Sequence, residues 1–198
     1  ANGCVADQDI TLVDPQQLQV STTITSNFNG ANISCNGFSD GQITASSIGG
    51  TGFINYSWSP NINQNTNIAN SLSAGTYTVT VTDVNNCTSQ SSETLTEPTP
   101  ISASVATVSE PTCNNSNDGS IIITASGGIS PSGYYFSTDG GQTYTPALNT
   151  NIGTSSPYTA NGLNIGFYQI TVQDQNGCFS DTSHNLTGPS QLQITANI

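Results

Sequence analysis

The sequence contains no lysine and no arginine, against twelve acidic residues and one histidine. Salt bridges from Lys or Arg to a carboxylate therefore cannot form, and apolar burial, backbone pairing and neutral hydrogen bonds must fix the fold. A net charge of −12, with no cation to displace counterions, argues against binding a nucleic-acid backbone. Anionic membrane surfaces repel such a chain for the same reason. Charged residues are only 6% of the total, so solubility rests on Asn, Gln, Ser and Thr together with the net charge. Long hydrophobic runs are missing too. No stretch approaches the roughly 18 apolar residues of a membrane span, and no direct membrane insertion is expected. There is no Met and no basic-then-apolar leader, so the sequence reads as a mature or excised piece of something longer. Five Cys without a CxxC pair, and a single His184, do not make a zinc site. The cysteines suit a disulfide framework in an oxidising compartment.

What is present is a repeated phrase. "AGTYTVTVTDVNNC", ending at Cys87, returns as "IGFYQITVQDQNGC", ending at Cys178, and the chain opens with "ANGC", ending at Cys4. A front half also occurs twice. Cys35-Asn36 precedes Asp40-Gly41, and Cys113-Asn114 precedes Asp118-Gly119. Gly49-Gly50 and Gly127-Gly128 follow at equal offsets, then the aromatic clusters Tyr56/Trp58 and Tyr134/Tyr135/Phe136. Pro15, Pro98 and Pro189 each lie eleven residues beyond a closing Cys. Matches at fixed offsets indicate a window on a tandem array. The expected organisation is the C-terminal tail of a preceding repeat (1–16), a complete repeat (17–98), a second complete repeat (99–189) and the first strand of a following repeat (190–198). Trp58 to Leu72 is 14 residues and Phe136 to Leu163 is 27, so the second repeat carries a 13-residue insert within roughly 138–160.

Each repeat reads as all-β. Residues 76–82 alternate strictly, with Tyr77, Val79 and Val81 on one face and Thr on the other, the period-2 pattern of a half-buried strand. Tyr168, Ile170 and Val172 do the same. The turn-forming residues that follow make each phrase a strand and a hairpin turn. Leu18/Val20 and Ile101/Ala103/Val105 supply a first strand, 41–47 and 119–126 a second, and the aromatic clusters a third. Six or seven short strands predict tandem immunoglobulin-like β-sandwich repeats joined by short Pro-containing linkers, "EPTPIS" and "GPSQLQ". Trp58, Phe136, Tyr77 and Tyr168 are the expected core aromatics.

"CNGFSDGQITASSIGG", "YSWS" and "LSAGTYTVTVTDVNNC" resemble the SprB-type repeat of very large surface adhesins of gliding Bacteroidetes. The match is close over 35–87 and looser over 113–178, where Phe136 replaces the usual Trp. The resemblance implies a cell-surface filament of a Gram-negative bacterium, exported by type IX secretion and moved by the gliding machinery. It brings no catalytic residues with it. Neighbouring repeats of the same chain are the expected partners, with surface polysaccharide or the gliding machinery beyond them.

The simplest cysteine pairing is Cys35 with Cys87 and Cys113 with Cys178, leaving Cys4 to pair upstream; free thiols or bridges between repeats are the alternatives. One argument opposes the simple pairing. In immunoglobulin topology the first-to-second-strand corner and the final hairpin lie at opposite ends of the sandwich. Asp40, Asp83, Asp118, Asp139 and Asp174 sit in turns, where clustered carboxylates could bind calcium or cap their own backbone. No other cofactor is expected. Tyr134, Tyr135, Tyr144 and Tyr158, in or near the insert, could form a sugar platform or simply pack. The insert is the better place for a ligand, because binding residues concentrate on loops held by a rigid scaffold. His184 and Asp181 could be imagined in a hydrolytic triad, but no strained nucleophile turn accompanies them. A third reading is a self-assembled fibre, with "TYTVTVT" pairing as a strand edge.

Overall fold

The computed structural model describes residues 8–60, 62–146 and 153–194. Cys4 and the last part of 190–198 lie outside them. Among the described residues there are twelve strands and no helix. The first repeat holds β1 (Gln19–Ile24), β2 (Gly41–Ile48), β3 (Asn55–Ser59), β4 (Ile68–Leu72), β5 (Gly75–Thr82) and β6 (Thr88–Leu95). The second holds β7 (Ser102–Ser109), β8 (Gly119–Ser126), β9 (Tyr135–Ser137), β10 (Tyr158–Leu163), β11 (Gly166–Gln173) and β12 (Phe179–Leu186). Each repeat folds its six strands into two three-stranded antiparallel sheets. Their orders are β1-β2-β4 with β3-β5-β6, and β10-β8-β7 with β12-β11-β9. The repeated strand order is the counterpart of the repeated sequence, and it is the immunoglobulin-like sandwich expected from the strand pattern.

The alternating residues drive this pairing. On β5, Tyr77, Val79 and Val81 are buried and the intervening Thr side chains are not. On β8, Ile121 and Ile123 are buried, and they meet Phe136, Ile170, Val172 and Leu186 from the opposite sheet. A fully buried side chain of this size contributes about 1.5–3 kcal/mol, so these clusters are the main stabilising term. The outer faces use hydroxyls where another protein would use ion pairs. Thr76 Oγ1 lies 2.9 Å from Thr94 Oγ1, and Thr78 Oγ1 lies 2.8 Å from Ser92 Oγ.

"TYTVTVT" does not form an edge. It is β5, the middle strand of its sheet, hydrogen-bonded to β3 on one side and β6 on the other. That removes the physical basis for fibre formation by edge pairing of this segment. The described part of 190–198 carries no strand, and Leu192 and Ile194 are exposed.

By compactness the chain divides into a first unit (1–25, 42–70, 76–94) and a second unit (26–41, 71–75, 95–198). The second unit thus takes in a segment of the first repeat, residues 26–41. Ile33 on that segment is fully buried. A Cβ on Gly41 would fall 2.6 Å from Leu95 Cδ1, 2.7 Å from Ile33 Cδ1 and 2.9 Å from the Leu72 carbonyl oxygen, so a side chain there would force this packing to shift.

Candidate functional site: the closing turn and its clasp

The turn after β11 is built around one carboxylate. Asp174 Oδ1 accepts the N–H groups of Asn176 and Cys178, both at 2.9 Å, and Oδ2 accepts Ile129 N at 2.8 Å. The backbone closes in parallel, Asp174 N donating to Cys178 O at 2.9 Å. Gly177, at φ 86°, turns the chain through the left-handed region that glycine tolerates. The turn holds Asn176 and Cys178 toward residues 26–41. Asn176 Nδ2 donates to the carbonyl oxygens of Phe28 (3.2 Å) and Ser34 (3.0 Å). Its Oδ1 accepts from Asn29 Nδ2 at 2.7 Å. Cys178 is bonded to Cys35, with their Cα atoms 5.6 Å apart.

The corner carrying Cys35 is rigid in its own right. Asp40 accepts from Ser34 N at 3.1 Å and from the Ser34 hydroxyl. Glu97 accepts from Asn36 Nδ2 at 2.9 Å and from Gly37 N at 2.7 Å, and Asn32 Oδ1 accepts from Thr96 N at 3.1 Å. Residues 32–37 are thereby tied to the linker at 96–98 as well as to the closing turn.

The pairings Cys35–Cys87 and Cys113–Cys178 do not form. Cys87 and Cys113 are exposed thiols. The reason is visible in the second repeat. A Cβ on Gly119 would lie 2.8 Å from Leu163 O and 3.0 Å from Pro111 Cγ, so the Cys113 corner sits where β10 ends and β11 begins. Cys178 lies beyond the other end of β11. An eight-residue strand at about 3.3 Å per residue separates the two by about 23 Å, far beyond a disulfide's reach.

The remaining candidates fall into place as follows. The turn after β5 repeats the Asp174 geometry. Asp83 Oδ1 accepts from Asn85 N and Cys87 N at 2.9 Å, and Oδ2 from Thr51 N at 3.0 Å. Burial pushes the Asp83 carboxyl up, but the N–H donors of Cys87, Thr51 and Asn85 outweigh it and hold it below the ordinary range. Asp118 is brought down to about 2 by the hydroxyls of Ser116 and Thr112 and by Thr112 N. Asp139 also falls to about 2, held by the hydroxyls of Ser137 and Thr143 and by Thr143 N. Asp118 and Asp139, like Asp40, are engaged by donors of their own turns, and Asp83 by its own turn and by Thr51 N. Among the described residues no three His, Cys, Asp or Glu side chains group closely enough to hold a metal ion.

The four tyrosines do not make one exposed platform. Tyr135 is buried. Tyr158 stacks on Phe136 with centroids 4.9 Å apart, and Tyr134 meets the same ring edge-on at 6.3 Å. Tyr144 is half-buried, and burial and then the charges of Asp181 and Asp139 push its hydroxyl pKa up. Trp58 and Tyr77 are buried and Tyr168 packs on the core, its hydroxyl donating to Asn164 O at 2.9 Å. His184 and Asp181 are three apart on β12 and so project to opposite faces. Asp181 accepts from Thr171 Oγ1 instead, at 2.6 Å. The clasp residues Asn176, Asn29 and Glu97 were not among the sequence candidates. The one signal, for Asn176 alone, is the twice-used Asp-x-Asn-x-Cys at 83–87 and 174–178.

No curated protein sequence matches the chain. Similar folds occur in the N-terminal eight Ig domains of Down Syndrome Cell Adhesion Molecule, at 12% identity over 89% of this chain and 24% of that one, TM-score 0.42. Fibronectin(III)-like modules of CbhA from Clostridium thermocellum match at 12% over 90% of this chain and all (100%) of theirs, TM-score 0.38. Immunoglobulin domains 1–4 of Sidekick-1 match at 11% over 88% of this chain and 50% of theirs, TM-score 0.35. The SprB repeat family model matches the chain twice, over residues 27–63 and 105–143.

Proposed function

We propose that this chain is a non-catalytic, extracellular repeat segment of a giant cell-surface adhesin or filament, working in surface attachment and gliding motility. The observation that carries the reading is the doubled SprB repeat. Its supports are physical. A disulfide suits an oxidising exterior. Without Lys or Arg the chain gives trypsin-like proteases nothing to cut. Two sandwich repeats consecutive in sequence, with Pro98 between them, suit a load-bearing spacer. Its partners are neighbouring repeats, with surface polysaccharide or the gliding machinery beyond; nucleic acid and membrane insertion have no part, and it needs no cofactor.

The test uses living cells of the source bacterium and beads coated with antibody to this chain. Beads that bind and travel along the cell body are the expected result. Beads that bind and stay put reduce the role to a static adhesin. Failure to label intact cells overturns the surface reading.

A further inference from the structure

Cys87 and Cys113 occupy the same two local structures that the Cys35–Cys178 bridge joins, yet both are exposed. The Cys113 corner reproduces the Cys35 corner. Thr112 N and Oγ1 donate to Asp118 at 3.0 and 2.5 Å, as Ser34 does to Asp40. Ser116 N donates to Cys113 O at 3.1 Å, as Phe38 N does to Cys35 O at 3.1 Å. Asn115 (φ 69°) stands where Gly37 (φ 77°) stands. The Cys87 turn reproduces the Cys178 turn, with Asp83 in the role of Asp174, Asn85 in that of Asn176, and Asn86 (φ 65°) in that of Gly177.

The corners differ in one respect, since the Phe28–Ala31 hairpin that meets Asn176 has no counterpart in the shorter connection 110–118, and their surroundings differ as well. Ser34, Cys35 and Cys178 are buried and Asn176 is half-buried, whereas Thr112, Cys113, Asn85 and Cys87 are exposed. Corner and turn are thus shaped in advance, before any partner covers them.

We propose that the Cys113 corner and the Cys87 turn are the two complementary halves of a second such joint, and that the occupant of each is another SprB repeat. Between copies of this chain, Cys113 of one bonds Cys87 of the next, head to tail. The chemistry is thiol–disulfide exchange with a small disulfide such as oxidised glutathione. The Cys113 thiolate attacks the disulfide, forms a mixed disulfide and releases one glutathione thiol. The Cys87 thiolate of the second copy then displaces the other. Two protein thiols lose two electrons and two protons, and one disulfide is reduced to two thiols. The polarity follows from the joint already formed, where a corner meets a turn and never its own kind. A heterologous contact of this sort propagates as a chain. The proposal adds a covalent polarity to the adhesin reading but does not depend on it, since assembly is measured on purified protein.

The experiment uses the full chain with Cys4→Ser, equilibrated in a glutathione redox buffer and run on non-reducing gels. With both thiols present a ladder of oligomers is expected. Cys87→Ser and Cys113→Ser are each expected to stay monomeric, and their mixture to give a single dimer that grows no further. Peptide mapping should find Cys113 linked to Cys87, with Cys35–Cys178 intact as the check that each variant is folded. Asn85→Ala should slow dimer formation in the mixture about fivefold, since Asn176 donates to Ser34 O in the joint already formed and Thr112 is the counterpart of Ser34. The proposal is overturned if either single variant dimerises as readily as the mixture. It is equally overturned by a Cys87–Cys113 bridge inside one monomer, or by no linkage while Cys35–Cys178 re-forms.

Discussion

In the first repeat one indole fills the centre of the sandwich. Trp58 on β3 is buried, and its Nε1 donates to Thr66 O at 3.0 Å. In the second repeat the fully buried ring is Phe136 on β9, which pairs with Val172 and so stands at the register position of Tyr56 rather than of Trp58; Tyr158 stacks on it and Tyr134 meets its edge. The strands differ in step. β3 has five residues and β9 only three. The insert clips onto β9 through paired backbone bonds, Tyr134 with Thr154 (2.8 Å each way) and Phe136 with Thr145 (3.0 and 2.7 Å). It thereby covers a short edge strand that would otherwise be open to pairing. The described insert residues Thr145 and Thr154 are thus part of the wall of the second sandwich.

The largest expected effect separates the two closing turns. Replacing Cys35 and Cys178 together by Ser opens a loop spanning 143 residues, for which the chain-entropy relation gives about 5 kcal/mol. Cys87→Ser, at the exposed counterpart, should change stability by less than about 0.5 kcal/mol. Urea unfolding followed by tyrosine and tryptophan fluorescence reads both, and equal effects would break the distinction. Next, Phe136→Ala should cost about 3–5 kcal/mol. Phe136→Trp should cost about 1–3 kcal/mol, because Tyr134 and Tyr158 already occupy the space an indole needs. A Phe136→Trp protein as stable as the parent would mean that the insert does not complete the core.

A pH-dependent effect belongs to the second repeat's insert. The hydroxyls of Ser137 and Thr143 hold Asp139 at about 2, below the ordinary carboxylate value of about 3.9. Its stabilisation is full above that ordinary value and is lost as pH falls through about 2. Asp139→Asn should therefore lower stability at neutral pH, and the difference from the parent should vanish in acid unfolding near pH 2. The smallest effect is on the outer face of the first repeat. Thr78→Val, which removes the bond to Ser92, should cost about 0.2–1 kcal/mol in thermal unfolding.

Strands were legible in the sequence because burial on one face imposes period 2, and residues 76–82 and 166–173 show it plainly. The repeat register carried the rest of the architecture, since equal offsets gave both sandwiches the same strand order. One feature was not legible: β5 looks like a free edge when read alone, because alternation shows which face is buried and not which neighbours pair. Two others were legible as alternatives. The tyrosines near the insert could form a platform or pack, and two of them pack on Phe136. Nearness in sequence favours a bridge within each repeat, but strand direction, which carries the corner and the closing turn to opposite ends, already argued against it, and the bridge joins Cys35 to Cys178 instead.

The central claim is that a corner from one repeat is bolted to the closing turn that ends the next. It is tested most directly by disulfide mapping of the oxidised chain after cleavage with an acid-specific or aromatic-specific protease, trypsin having no site. The account predicts a peptide pair joining Cys35 to Cys178, with Cys87 and Cys113 alkylated as free thiols in the monomer. Peptides joining Cys35 to Cys87 and Cys113 to Cys178 would contradict it.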